Sequence, residues 1–139
     1  MNTNINYENK TFLGGTCGNS TWRARLIPML NSNVDFFNPQ LAPGAWTPED
    51  SIREDACKKV ARYNVFGITG DASSTYSFFE IAEELYNHPE RVIFVPLGDL
   101  SQISKNSTKV IMQKVCAKGG HIFETLEDLA NFLNTEYSK

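Results

Sequence analysis

The chain has 139 residues, 41% hydrophobic and 21% charged, with a net charge of −3. These values fit one soluble domain over 1–139 that buries its own core, with an Asn-rich start (1–10) expected to be flexible. They leave no basic footprint for nucleic acid, no run near the ~18 apolar residues of a membrane helix and no signal-peptide core, so the expected setting is the cytoplasm.

Thr11–Thr16 reads as a first strand that runs into the small, polar turn Gly14-Gly15-Thr16-Cys17-Gly18-Asn19-Ser20. A helix over about Thr21–Asn31 follows, capped by Ser20 or Thr21 and bent near Pro28. Val34–Asn38 is a short apolar run stopped by Pro39, and Gln40–Thr47 is a loop that carries Trp46. Pro48-Glu49-Asp50 has the proline and acids of a helix start, and Ile52, Ala56, Val60 and Tyr63 recur at helical spacing as its apolar face. Val65–Thr69 is a third strand, followed by a second polar turn over Gly70–Thr75. Phe78, Ala82 and Leu85 give the next helix its stripe.

Arg91–Leu97 is the strongest buried strand, and a helix within Ser107–Lys118 is closed by Gly119-Gly120. His121–Phe123 is a last short strand, and Thr125–Leu133 a last helix with Thr125 and Asp128 as a capping box. Five strands alternating with five helices predict an α/β fold: a flavodoxin-like three-layer α/β/α arrangement around a five-stranded parallel sheet of order 2-1-3-4-5.

In that order the turns Gly14–Ser20 and Gly70–Thr75 flank one crevice at the switch point, where α/β sheets bind ligands. Their hydroxyls and amides suit a polar ligand, although any turn is rich in such residues. Glu80 lies across its helix from Phe78, Ala82 and Leu85, near the helix start that favours its anion, with Tyr76 one turn earlier; a solvated surface glutamate is the plain alternative. Asp55 borders the apolar face of its helix, where a surface pair with Lys58 or Lys59 explains it equally well. Trp22 and Trp46 could stack on a base or fill the core. The cysteines, Cys17, Cys57 and Cys116, have no Cys-x-x-Cys spacing and read as reduced thiols, Cys17 as a small buried residue. His88 and His121 are far apart, so neither a metal site nor a cofactor is expected.

The segments Phe12-Leu13-Gly14-Gly15-Thr16, Ser20-Thr21-Trp22-Arg23, Phe37-Asn38-Pro39, Trp46-Thr47-Pro48-Glu49 and Thr75-Tyr76-Ser77 leading to Glu80 resemble, in this order, the nucleoside 2-deoxyribosyltransferase-like proteins. The resemblance runs from about Phe12 to Leu97. It implies an N-glycosyl enzyme, a deoxyribosyltransferase or a nucleoside or nucleotide N-glycosidase. Glu80 would attack C1′ to form a glycosyl ester, and Asp55, after a one-residue offset, would protonate the leaving base. The implied binding residues are Phe12, Gly14, Gly15, Thr16, Asn19, Ser20, Trp22, Arg23, Trp46, Asp71, Ser74, Tyr76 and Ser77, with Thr16, Asn19, Ser20 and Arg23 suited to a 5′-phosphate.

Phe12 stands where the nucleoside enzymes carry a tyrosine, and Asp71 only neighbours the position of a further family aspartate. A non-catalytic nucleotide binder that uses the same crevice is the alternative. The partner expected is a small nucleoside or nucleotide, and the assembly a homodimer or higher homo-oligomer with crevices near its two-fold axis.

Overall fold

In the computed structural model, which describes residues 5–18, 20–42, 44–70, 74–98 and 102–139, five parallel strands form one sheet in the order β2-β1-β3-β4-β5. The strands are β1 (Thr11–Gly15), β2 (Phe36–Phe37), β3 (Tyr63–Ile68), β4 (Val92–Pro96) and β5 (His121–Ile122). The helices are α1 (Trp22–Leu26), α2 (Pro48–Val60), α3 (Thr75–Asn87), α4 (Gln102–Ala117) and α5 (Leu126–Tyr137). This is the expected three-layer α/β fold and strand order. Registers such as Leu13 beside Val65 and Val65 beside Ile93 align the carboxyl ends of β1, β3 and β4.

Alternation along the strands sorts the core into two faces. Leu13, Val65, Ile93 and Val95 pack with Trp22 and Leu26 of α1 and with Leu129 and Leu133 of α5. Phe66, Ile68, Val92 and Phe94 face Ile81 and Leu85 of α3 and Val115 of α4. Phe12 sits under α2 with Cys57 and Ala61. Burying each large side chain of this kind is worth about 1.5–3 kcal/mol, and β4, apolar on both faces and paired on both sides, is the strongly buried strand its composition predicts.

Element ends differ from the sequence reading for local reasons. The α-helix after β1 stops at Leu26, and Pro28 turns the chain into a 3₁₀ turn over Ile27–Met29. No side chain caps α1. The last helix runs on to Tyr137, whose hydroxyl lies 2.9 Å from Thr11 Oγ1 and 3.1 Å from the Asp35 carbonyl oxygen, fastening its end to the sheet. At α2, Thr47 and Asp50 form a reciprocal capping box ahead of Pro48.

The phase of α2 is opposite to the one its aliphatic spacing suggests. Ile52 is 68% exposed, Ala56 and Val60 are exposed, and the inward face carries Glu54, Cys57, Lys58 and Ala61. On α3, Ala82 is exposed, and Ser77, Glu80, Ile81, Glu84 and Leu85 face inward. Polar side chains thus fill the seam between α2 and α3. Apolar ones (Ile52, Phe79, Tyr86) stay outside.

Candidate functional site

Two turns converge at the switch point. Thr16 Oγ1 accepts a hydrogen bond from the Thr69 backbone N–H at 3.0 Å and lies 2.5 Å from Ser74 Oγ. Ser20 Oγ lies 3.4 Å from Thr69 Oγ1. Gly15 makes this closeness possible: at φ +108 it occupies left-handed backbone, and a Cβ there would stand 2.1 Å from the Gly67 carbonyl oxygen. Gly67 in turn leaves room for the Trp22 ring.

Arg23 holds the first turn from beneath. Its Nε donates to the Leu13 carbonyl at 2.7 Å, Nη1 to Thr16 at 2.7 Å and Nη2 to Gly15 at 3.2 Å, with Cys17 Sγ at 3.6 Å from Nη2. Trp22 is wholly buried and donates through Nε1 to the Thr16 carbonyl. Trp22 therefore belongs to the core and is not a stacking surface. Arg23, expected to meet a phosphate, is committed to backbone carbonyls.

Above the turns lies an inner cavity of about 170 Å³, walled by Phe12, Gly14, Gly15 and Arg23 on one side and by Glu54, Tyr76, Ser77 and Glu80 on the other. It opens into an outer cavity of about 580 Å³ lined by Leu41, Ala42, Trp46 and Ser51, and the two share Cys17, Pro39, Glu54 and Tyr76. Gln40 fixes the loop that roofs them by donating through Nε2 to the carbonyls of Gly18 at 3.1 Å and Ser20 at 2.9 Å. A small chamber that holds two carboxyls and leads into a larger one with aliphatic and aromatic walls suits a ligand with a hydroxylated end and a flat apolar end.

Glu80 is 8% exposed, and its Oε2 accepts a hydrogen bond from Lys58 Nζ at 2.5 Å. Burial pushes the Glu80 carboxyl above the ordinary range, and the Lys58 ammonium pulls against that. Lys58 is itself held above its usual value: burial lowers it, and the hydrogen bond and charge of Glu80 more than compensate. Glu54 is raised by burial, with the Glu80 charge reinforcing and Lys58 opposing.

Asp55, the sequence-derived proton donor, lies elsewhere. Its side chain is 67% exposed, 3.3 Å from Lys58, on the wall of a separate groove formed with Lys59, Phe79 and Glu83. The carboxyl that shares the cavity with Glu80 is Glu54, one residue earlier. The inverted phase of α2 accounts for the difference, and Cys57, of a residue type that favours burial, was the signal for that phase.

Of the other expected residues, Phe12, Gly14, Gly15, Tyr76 and Ser77 line the inner cavity and Trp46 the outer one. Thr16, Ser20 and Ser74 join the two turns. Asn19 and Asp71 lie outside the described residues. Cys17, expected to be buried, is exposed at the junction of the two cavities. Sequence reasoning missed Glu54 and the inward course of Lys58.

The parallel sheet thus brings two inward carboxyls, Glu54 and Glu80, to its switch point, the place where open α/β sheets bind ligands. The chain belongs to the nucleoside 2-deoxyribosyltransferase-like family, whose model matches residues 8–98, from before β1 through the end of β4. Membership links it to glycosyl transfer and nucleoside chemistry, and to a nucleoside-type small molecule as ligand. A search of curated proteins finds no match to the chain. Among the described residues no helix is long and apolar enough to cross a membrane.

Proposed function

We propose that the protein breaks the N-glycosidic bond of a nucleoside through a covalent glycosyl ester on Glu80, passing the sugar to a second base or to water. The observation that carries this reading is the pair Glu54 and Glu80 in one cavity, both raised by burial and the second paired with a cation. A Glu80 carboxylate oxygen bonds to C1′ as the C1′–N bond breaks, and the bond's electron pair leaves with the base. The Glu54 carboxyl, rather than the more exposed Asp55, supplies the base's proton. The inner cavity suits the sugar, and the outer cavity with Trp46 and Tyr76 suits the base.

A free nucleoside fits better than a nucleotide. Arg23 is the basic residue among the described residues lining the inner cavity, and its donors go to carbonyls and to Cys17 Sγ. The exposed side chains Ile52, Phe79 and Tyr86 support a symmetric homodimer built on α2 and α3. Tyr63 does not contribute to that surface, because it packs against Phe132 and His121.

The second reading, a binder without turnover, draws on the Lys58–Glu80 bond, which engages the carboxylate before any substrate arrives. One experiment tests both: deoxynucleosides, ribonucleosides and their monophosphates are incubated with the protein and recovered by chromatography. Released base supports the enzyme. Thermal stabilisation with the ligand recovered intact supports the binder.

A further inference from the structure

We infer that Lys58 is the positioning residue of the site, holding Glu80 for attack and turning to Asp55 when Glu80 becomes an ester. This deepens the proposed function and rests on Glu80 as nucleophile.

The geometry is specific. Lys58 starts from the inward face of α2, and its ammonium lies 2.5 Å from Glu80 and 3.3 Å from Asp55 Oδ1. Its ammonium also lies over two rings, with Nζ 5.6 Å from the Phe12 centroid and 5.8 Å from that of Tyr76. A buried ammonium in such a place needs a counter-charge, because leaving one partner of a buried pair alone is strongly unfavourable. Among the described residues, the other charged or titratable groups that act on Glu80 include Glu54 and Asp55 from α2, Tyr76 and Glu83 from α3 and Arg23 from α1.

The glycosyl step changes this balance. When the Glu80 oxygen bonds to C1′ and the base departs with the Glu54 proton, Glu80 loses its charge and Lys58 loses the nearer of its two counter-ions. The Glu54 carboxylate left by the proton transfer acts on Lys58 across the cavity, and Asp55, already within 3.3 Å and open to solvent, is the carboxylate whose contact with Lys58 then tightens. Breaking the ester restores the Glu80 charge and calls the ammonium back. Lys58 thus orients the nucleophile in the resting protein and favours the breakdown of the ester. Asp55 stabilises the ester state without touching substrate.

The test is a carboxyl ¹³C titration of glutamate-labelled protein, with Glu80 assigned through Glu80→Gln. In Lys58→Met the Glu80 titration moves up by about 1–3 pH units, and the acid limb of base release moves with it. Lys58→Arg restores both toward wild type. Asp55→Asn lowers the fraction of protein trapped as ester during turnover. A Glu80 titration unmoved in Lys58→Met overturns the role of Lys58, and an unchanged trapped fraction removes Asp55.

Should Lys58→Met not fold, the wild-type Lys58 ¹⁵N ammonium resonance serves instead. Its shift with pH follows the midpoint of the Glu80 carboxyl ¹³C in the wild type and departs from that midpoint in Glu80→Gln; a shift with the same midpoint in both proteins overturns the inference. The titration needs no turnover, so its failure is separate from failure of the glycosyl reading, which shows as undiminished base release by Glu80→Ala.

Discussion

Glu54 and Glu80 meet in one cavity from two different helices, and the capping box at Thr47 together with the burial of Cys57 sets the helical phase that brings Glu54 there. A proton donor and a nucleophile need different environments, and these two carboxyls have them. Burial raises both carboxyls, and what separates them is that Glu80 accepts a hydrogen bond from the Lys58 ammonium while Glu54 is the less buried of the two.

Glu54→Gln removes the proton donor with little change of shape. The expected loss of base release is about 10²–10⁴-fold, smallest with substrates whose leaving base needs no proton. Initial rates on a normal and an activated nucleoside check this. Equal losses on both would place Glu54 outside proton transfer.

The pH profile of base release should be bell-shaped. Its acid limb reports Glu80, which must lose its proton to attack, and its alkaline limb reports Glu54, which must keep its own. Burial raises both, so the window sits above the ordinary carboxylate range, and Glu54→Gln flattens the alkaline side. Rates measured across pH in wild type and variant decide the matter.

Glu84 gives a stability prediction. It is buried at the seam, accepts a hydrogen bond from Asn64 Nδ2 at 2.9 Å, and is raised first by burial. Its folded pKa lies above its unfolded one, so the folded state binds more protons between the two values and loses stability as pH rises through that window. Glu84→Gln removes this loss and should stabilise the protein at neutral pH by about 1 kcal/mol. Its amide could also donate to Asn64 Oδ1, which is buried and has no hydrogen-bond partner among the described residues. Urea melts at acidic and neutral pH measure the effect, and an unchanged pH dependence would contradict it.

Thiol chemistry distinguishes the three cysteines. Cys57 is buried, and burial pushes its thiol up to about 12, so it should resist alkylation in the folded protein. Cys17 and Cys116 are exposed and should react, Cys17 more slowly when the cleft is occupied. Peptide mapping after iodoacetamide treatment, with and without ligand, checks both statements.

The exposed apolar side of α2 and α3 predicts self-association. Light scattering at micromolar concentration should give a multiple of 15.6 kDa, and Phe79→Glu with Tyr86→Lys should return the monomer. A wild-type mass at the monomer value would contradict the dimer.

The strand order was legible because β1, β3 and β4 are apolar runs closed by turn residues, and parallel connections leave few topologies open. Glu80 was legible as an acid early in a helix beyond a polar turn. What the sequence concealed was the face of α2. Its larger aliphatic residues mark the outer side, against the usual rule, because the inner side is shared between a small core contact of Cys57 and Ala61 with Phe12 and the cavity that Glu54 lines. The same inversion hid Lys58, whose neighbours Asp55 and Lys59 are exposed. Arg23 looked like a ligand-binding cation and proved to be a brace, since only contacts across the fold show where its donors go.

The most direct test of the central claim follows base release by wild type and Glu80→Ala while a deoxynucleoside turns over, with the quenched protein analysed by mass spectrometry. The account predicts a sugar adduct on the peptide that contains Glu80 in the wild type. It predicts a folded Glu80→Ala variant that carries no adduct and releases no base. Base release by that variant at the wild-type rate would contradict it.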